Sequence, residues 1–398
     1  MDIVIISEFS ESFSKTDNDR FLYLARMLSE NHQTEFITSS FRHSTKKKRT
    51  EPEDRQPFKI TFLDEPGYPR NICLQRFRSH RIWGKNVLRY LKERKKPDAV
   101  YCAMPSLTAA ALAAKYCEAN GIRFVTDVQD LWPEAFRMAL DIPVISSLVF
   151  APFTMLANAG YSRADAVCAV SESYRERALR VNRKTREGCA VYLGADTEAF
   201  DRCAEAHPLS GTAFARKDGE SLLGYAGTLG TSYDLPVVFE AMRKLNRPEL
   251  RMIVVGDGPL AESFREQAEG LNVTFTGRLP YEQMCGILKG CDFVVNPIVG
   301  TSAATIINKH GDYAASGKPV LNTQNSDEYR ALVDEYRMGF NCRNGDAADL
   351  AQKLERLMDD PELCEEMGRN ARRCAEEKFD RAKTYRKLTE VILNGSGN

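Results

Sequence analysis

The stretch RMIVVGDGPLAESF, residues 251–264, sets a short apolar run against Gly256-Asp257-Gly258-Pro259 and then a helix-forming segment. A brief β-branched run closed by a turn reads as a buried strand. Glycine lets the backbone turn tightly there, and proline suits the first helical position. The same order of strand, turn and helix occurs just upstream in LLGYAGTLGTSYDL (222–235), with Gly227 and Gly230 after the apolar run. It occurs again downstream in IVGTSAATIINKHGDYAASGKPVL (298–321). Strands that alternate with helix-length segments predict a parallel α/β sheet, in which ligands bind at the carboxyl ends of the strands.

Working outward, strands are expected at 222–226, 252–255, 273–275, 293–296 and 319–321, with helices at 236–245, 260–269, 282–289 and 305–315. The N-terminal half shows the same alternation, with apolar runs at 3–6, 99–102, 124–126, 166–170 and 190–193. Helical segments at 18–29, 74–92, 107–120 and 171–181 lie between most of them. Between the halves the text turns polar and is broken by Pro208, Gly211 and Gly219. The expected organisation is therefore a first doubly wound domain over 1–202, a linker over 203–220, a second such domain over 221–380, and a C-terminal helix over 381–398. A chain of 398 residues agrees with two domains at roughly 100–200 residues each.

Lys and Arg total 55 and Asp and Glu 55, so the net charge of zero gives no general case for nucleic-acid binding. The eleven cysteines include no CxxC, and neither they nor the five histidines show metal-ligand spacing, so reduced thiols and no metal site are expected. The start, MDIVIISEFS, reads as a strand and not as a signal sequence, which gives a cytoplasmic expectation. No stretch reaches the roughly 20 apolar residues of a membrane span. One charge feature stands out: residues 42–96 hold 17 Lys/Arg against 6 Asp/Glu, with Trp83, Leu88 and Tyr90 among them. This face suits the anionic surface of an inner membrane, or is simply solvated. The apolar stretch at 142–160 either dips into such an interface or packs as a core helix.

Two glycine turns at one sheet edge, Gly227, Thr228 and Gly230 with Gly256, Asp257 and Gly258, favour an anion at the adjoining helix starts. Neither contains GK[ST], so ATP hydrolysis is not indicated. In the third segment the amides of Thr305, Ile306, Ile307 and Asn308 would open a helix toward a diphosphate. Lys309 would be its charge partner, and Asp312 would accept from ribose hydroxyls. A strand-to-helix turn and an ordinary capped helix account for the same residues without a ligand. In the first half, Asp127, Asp130 and Glu134 cluster after a strand, as a group that positions or deprotonates an acceptor hydroxyl or as helix-capping acids. Loop 8–19, with Glu8 and Ser10, lies on the same edge.

In order, YAGTLG (225–230), VVGDGP (254–259), VTFTGRLP (273–280), CDFVVNP (291–297) and NKHGDYAASGKPV (308–320) resemble the donor domain of family 4 glycosyltransferases of the GT-B fold. Upstream, DIVIIS (2–7), PDAVYCAMP (97–105), VTDVQDLWPE (125–134), ADAVCAVSES (164–173) and VYLGADTEAF (191–200) extend the resemblance over nearly the whole chain. The nearest flavour is enzymes of bacterial capsule, O-antigen or exopolysaccharide synthesis.

The resemblance implies two Rossmann-like domains facing a central cleft, with C-terminal helices packing back on the first. It implies retaining transfer from a nucleotide-diphosphate sugar to a polyprenyl-diphosphate-linked saccharide, without an essential metal or bound cofactor. In family position Asp127 or Asp130 serves the acceptor, and Asp312 takes the second place of a Glu-x7-Glu pair. Two departures stand out. Ala304 replaces the first Glu, and Thr228, Thr231 and Tyr233 occupy the region of the usual Arg/Lys pair. Lys309, Arg278 or Lys318 would compensate. Two rivals stand beside this reading: a nucleotide-sugar epimerase on the same fold, which needs no membrane acceptor, and, motivated by these departures, a scaffold subunit that has lost transfer.

Overall fold

The computed structural model describes residues 1–11, 13, 19–49, 55–71, 73–134, 143–300 and 305–394, with the backbone alone for 143–149. They form two compact units, Met1–Val191 with Tyr385–Asn398, and Tyr192–Thr384. The change-over falls before the stretch expected as linker. The reason is local: Thr197–Ala206 is a helix whose Phe200 and Ala204 enter the core of the second unit.

The first unit is built on a parallel sheet of seven strands among the described residues. They are β1 (Asp2–Ile6), β2 (Gln33–Ser39), β3 (Lys59–Leu63), β4 (Ala99–Met104), β5 (Arg123–Val128), β6 (Ala166–Ala169) and β7 (Gly188–Ala190), in the order β3-β2-β1-β4-β5-β6-β7. The reversal between β1 and β4 is the switch point of a doubly wound sheet. Central strands are covered on both faces, so β4 (AVYCAM) is buried at every position. Helices α1 (Arg20–Ser29), α2 (Leu74–Glu93), α3 (Leu107–Asn120) and α4 (Pro143–Arg163) belong to this unit. Asp19 caps α1 by accepting from the amides of Phe21 and Leu22. The C-terminal helix Arg386–Leu393 returns here, burying Leu388 and Ile392 with Ile3 and Ile5 of β1 in one core.

The second unit has six parallel strands among the described residues: β8 (Ser221–Ala226), β9 (Leu250–Val255), β10 (Val273–Gly277), β11 (Phe293–Asn296), β12 (Val320–Asn322) and β13 (Gly339–Asn341). Their order is β10-β9-β8-β11-β12-β13. The switch point lies between β8 and β11, so the loops after these two strands and after β9 share the carboxyl edge of the sheet.

Candidate functional site

At that edge the two glycine turns are laced together through their backbones. The amide of Gly227 donates to Val255 O (2.9 Å), that of Leu229 to Asp257 O (3.0 Å), and that of Leu260 to Leu229 O (3.0 Å). Gly256 has φ +145°, and a Cβ there would stand 1.9 Å from Gly227 O, so only glycine permits the approach. Asp257 is exposed, and its carboxylate takes the amide of Gly258 (2.8 Å). Thr228 is exposed, Gly230 is buried, and Arg278 is exposed just after β10.

Lys309 reaches this pair of loops from below. It is 8% exposed, and its Nζ has no hydrogen-bond partner among the described residues. The ammonium lies 4.2 Å from the ring centroid of Tyr225 and 3.9 Å from that of Tyr233. Gly227, at φ +151°, makes room for it: a Cβ there would fall 2.5 Å from Nζ. Burial pushes the Lys309 ammonium well below the ordinary lysine range. The ring faces favour the cation, but this offsets only part of the loss of water. The tyrosine box was not read from the sequence; its signal was two tyrosines flanking a glycine turn.

The helix carrying Lys309 starts later than expected. It runs Asn308–Ala315, with Ile307 as its N-cap, so Thr305, Ile306 and Ile307 precede it. Ile306 is buried, and the Ile307 amide donates to His310 Nδ1 (3.3 Å), which withdraws it from any ligand. The amides of Asn308 and Lys309 open the helix with no intrahelical acceptor. Burial holds His310 neutral, and its Nε2 lies 3.2 Å from the Asn296 side-chain nitrogen. Asn296, Asn322 and Asn341 stand opposite one another on β11, β12 and β13; the Asn296 side-chain amide donates to Asn322 Oδ1 (2.9 Å) and that of Asn322 to Asn341 Oδ1 (2.8 Å). Gln324 Nε2 donates to Thr305 O (3.0 Å). This amide ladder fixes the segment leading into the helix.

Asp312 is buried and accepts from Tyr281 Oη (2.8 Å), and burial raises its pKa to about 6. One oxygen is thus already engaged. Ala304 lies outside the described residues. Lys318 precedes β12 and so stands at the opposite, amino end of the sheet, which removes it from the candidates for the diphosphate.

In the first unit, Asp127 is fully buried in a salt bridge with Arg20 (2.8 Å) and also accepts from Gln129 Nε2 (3.0 Å). The expectation that Asp127 takes an acceptor proton is corrected by this pairing: both its oxygens are spent on the fold. Asp130 accepts from Trp132 Nε1 (3.0 Å), and burial raises its pKa. Glu134 pairs with Arg177 (2.6 Å). Ser10 is buried and donates to Ser7 Oγ (3.3 Å).

Glu8, just after β1, is buried; its Oε2 accepts from Ser106 Oγ (2.8 Å), while Oε1 has no hydrogen-bond partner among the described residues. His80 Nε2 is 3.8 Å from that free oxygen. Burial, then the Glu65 charge, raises the Glu8 pKa well above the usual range, while burial and Arg76 lower that of His80 to about 3. Arg76 lies 4.4 Å over the Trp132 ring. Sequence reasoning placed Arg76 on a basic surface, whereas it is buried among aromatic rings.

Among the described residues no group of three His, Cys, Asp or Glu could hold a metal, and no helix is long and apolar enough to cross a membrane.

Two parallel α/β units, with glycine loops and a buried lysine at the carboxyl edge of the second, define a protein of two Rossmann-like units. Residues 220–360 match the model of "Glycosyl transferases group 1", and residues 18–194 match that of the "Glycosyl transferase 4-like domain". The chain belongs to this family, the group 1 or family 4 glycosyltransferases of the GT-B fold, a retaining family that uses nucleotide sugars. It is 21% identical to EpsD of Bacillus subtilis (strain 168) over 345 residues, 84% of each chain. Among solved structures it resembles Anabaena HepE in complex with UDP, with a TM-score of 0.70 at 16% identity over 99% of this chain and 100% of that one. It also resembles WaaG, a glycosyltransferase involved in lipopolysaccharide biosynthesis, with a TM-score of 0.66 at 15% identity over the whole of both chains.

Proposed function

We propose that this glycosyltransferase takes its sugar from a UDP-sugar whose diphosphate lies against Gly227–Gly230, Gly256–Gly258 and the start of the Asn308–Ala315 helix. The observation that carries the reading is Lys309: a buried amino group with no hydrogen-bond partner or counter-ion among the described residues, beside a glycine that leaves it room. A diphosphate supplies the missing negative charge. The amides of Asn308 and Lys309 add the positive end of the helix, and together they stabilise the charge that develops on the leaving group. Asp312, with one oxygen held by Tyr281, keeps the other for the ribose. UDP is the nucleotide bound in HepE, which makes UDP-sugars the first donors to try. The experiment is release of nucleoside diphosphate by the wild type, Lys309→Ala and Asp312→Ala. Turnover at the wild-type level in both variants would remove this donor site.

On the acceptor side we infer a polyprenyl-diphosphate-linked saccharide presented at the inner face of a bacterial membrane, in surface polysaccharide synthesis. Arg78, Arg81, Lys85, Arg89 and Lys92 are exposed at helical spacing along one face of α2. At its start Leu74 is 84% exposed, and Met155 of α4 is 72% exposed. The rings of Phe77 and Phe153, in the same two helices, meet at 4.7 Å. An anionic bilayer attracts such a stripe by about 1 kcal/mol per cation. Glu8, Ser106 and Asp130 are the polar groups offered to the acceptor saccharide. Sedimentation with phosphatidylglycerol vesicles tests the surface: reversing Arg81, Lys85 and Arg89 to Glu releases the protein, and unchanged sedimentation would place the contact elsewhere.

A further inference from the structure

Lys318, which the fold removes from the donor loops, lines a cavity of about 580 Å³ at the amino end of the second sheet. Its walls are the starts of β8 and β11, the turn Ser316–Pro319 and the helix Pro361–Cys374. Five cations reach it, Arg216, Lys289, Lys318, Arg369 and Arg372, against two acids, Asp292 and Glu365.

Four of the cations are balanced. Arg216 holds Asp292 (2.8 Å), Lys289 and Arg372 share Asp201 (3.2 and 2.6 Å), and Arg369 holds Glu365 (2.9 Å). Arg372 also takes Glu376 (2.8 Å). Asp292 is further occupied by the Leu222 amide (2.7 Å), so it has little left for Lys318. Lys318 itself makes no hydrogen bond or ion pair with any described residue, although it is half-buried. Burial lowers its pKa, with Asp292 opposing. A partly desolvated ammonium among guanidinium and ammonium groups gains most from an added anion.

We propose that this cavity is a second anion site, separate from the donor loops, which takes the phosphate group of a small molecule on Lys318 with Arg216 and Lys289 beside it. Its volume falls within the roughly 300–1,000 Å³ of small-molecule sites. Because it opens at the amino end of the strands, an occupant there does not compete with a donor for the same loops. The separation, but not the site itself, rests on the donor reading given above.

The test titrates the full chain calorimetrically with inorganic pyrophosphate, in the wild type, Lys318→Met, Lys318→Arg and Lys309→Met, with thermal unfolding as the control for folding. The wild type takes two equivalents. Lys318→Met weakens one of them about tenfold, the scale of one charge-assisted hydrogen bond, while Lys318→Arg keeps it. Lys309→Met weakens the other. A wild type that takes one equivalent, lost with Lys309→Met and untouched by Lys318→Met, overturns the second site. Loss with Lys318→Met and none with Lys309→Met instead sustains it and overturns the donor reading.

Discussion

Two buried basic residues, one in each unit, have opposite fates. Arg20 and Asp127 bury a cation and an anion against each other at 2.8 Å. Lys309 is also buried, and among the described residues its Nζ has ring faces beside it and no hydrogen-bond partner. A buried charge costs several kcal/mol unless it is paired, so the first pair is complete within the fold and the second group is incomplete without something from outside. Residue type alone does not separate them. An Asp at the end of a strand looks catalytic in the sequence and is a brace, whereas a Lys one residue into a helix grips the ligand in our reading.

The comparison breaks most visibly if the brace is cut. Asp127→Ala leaves Arg20 buried without its anion and is expected to destabilise the first unit by about 3–5 kcal/mol, read by denaturant unfolding. A loss below about 1 kcal/mol would mean that the pair is not the brace described here.

The glycine approach beside Lys309 comes next. Gly256→Ala places a Cβ against Gly227 O at a positive φ and should cost about 2–3 kcal/mol of stability as well as donor affinity, since the two loops must part. Normal unfolding together with normal donor affinity would show that the lacing is dispensable.

A third effect is pH-dependent. Asp312 has a folded pKa near 6 against an ordinary 3.8, so the folded state binds the extra proton between these values. Its contribution to stability is full below about pH 4 and is lost as the pH rises through 6. From pH 4 to pH 7 the wild type should lose about 2–3 kcal/mol relative to Asp312→Asn, which has no proton to release. Parallel stability curves for the two proteins would contradict this assignment.

Much of the fold was legible because fully covered parallel strands are short apolar runs. β4, β8, β9 and β11 stand out for that reason. β2 and β3 did not: QTEFITS carries Glu35, Thr38 and Ser39 inward, and Glu35 is acceptable there only because Lys59, Thr61, Tyr90 and Arg94 reach it. Such partners lie up to 59 residues away and leave no local trace. The glycine loops and Lys309 were legible from strand–turn–helix spacing. The late helix start was not, because it depends on the His310 imidazole taking the Ile307 amide. The displacement of Lys318 was readable in principle, since a residue that precedes a parallel strand lies at the far edge from one that follows it.

The most direct measurement of the central claim is the affinity of Lys309→Met for UDP, with thermal unfolding alongside. Binding should weaken about a hundredfold while the unfolding midpoint holds or rises, because a buried amino group without a hydrogen-bond partner among the described residues has been replaced by an apolar side chain of similar length. UDP affinity equal to that of the wild type, or a sharp fall in the midpoint, would contradict the reading of Lys309 as a charge awaiting a diphosphate.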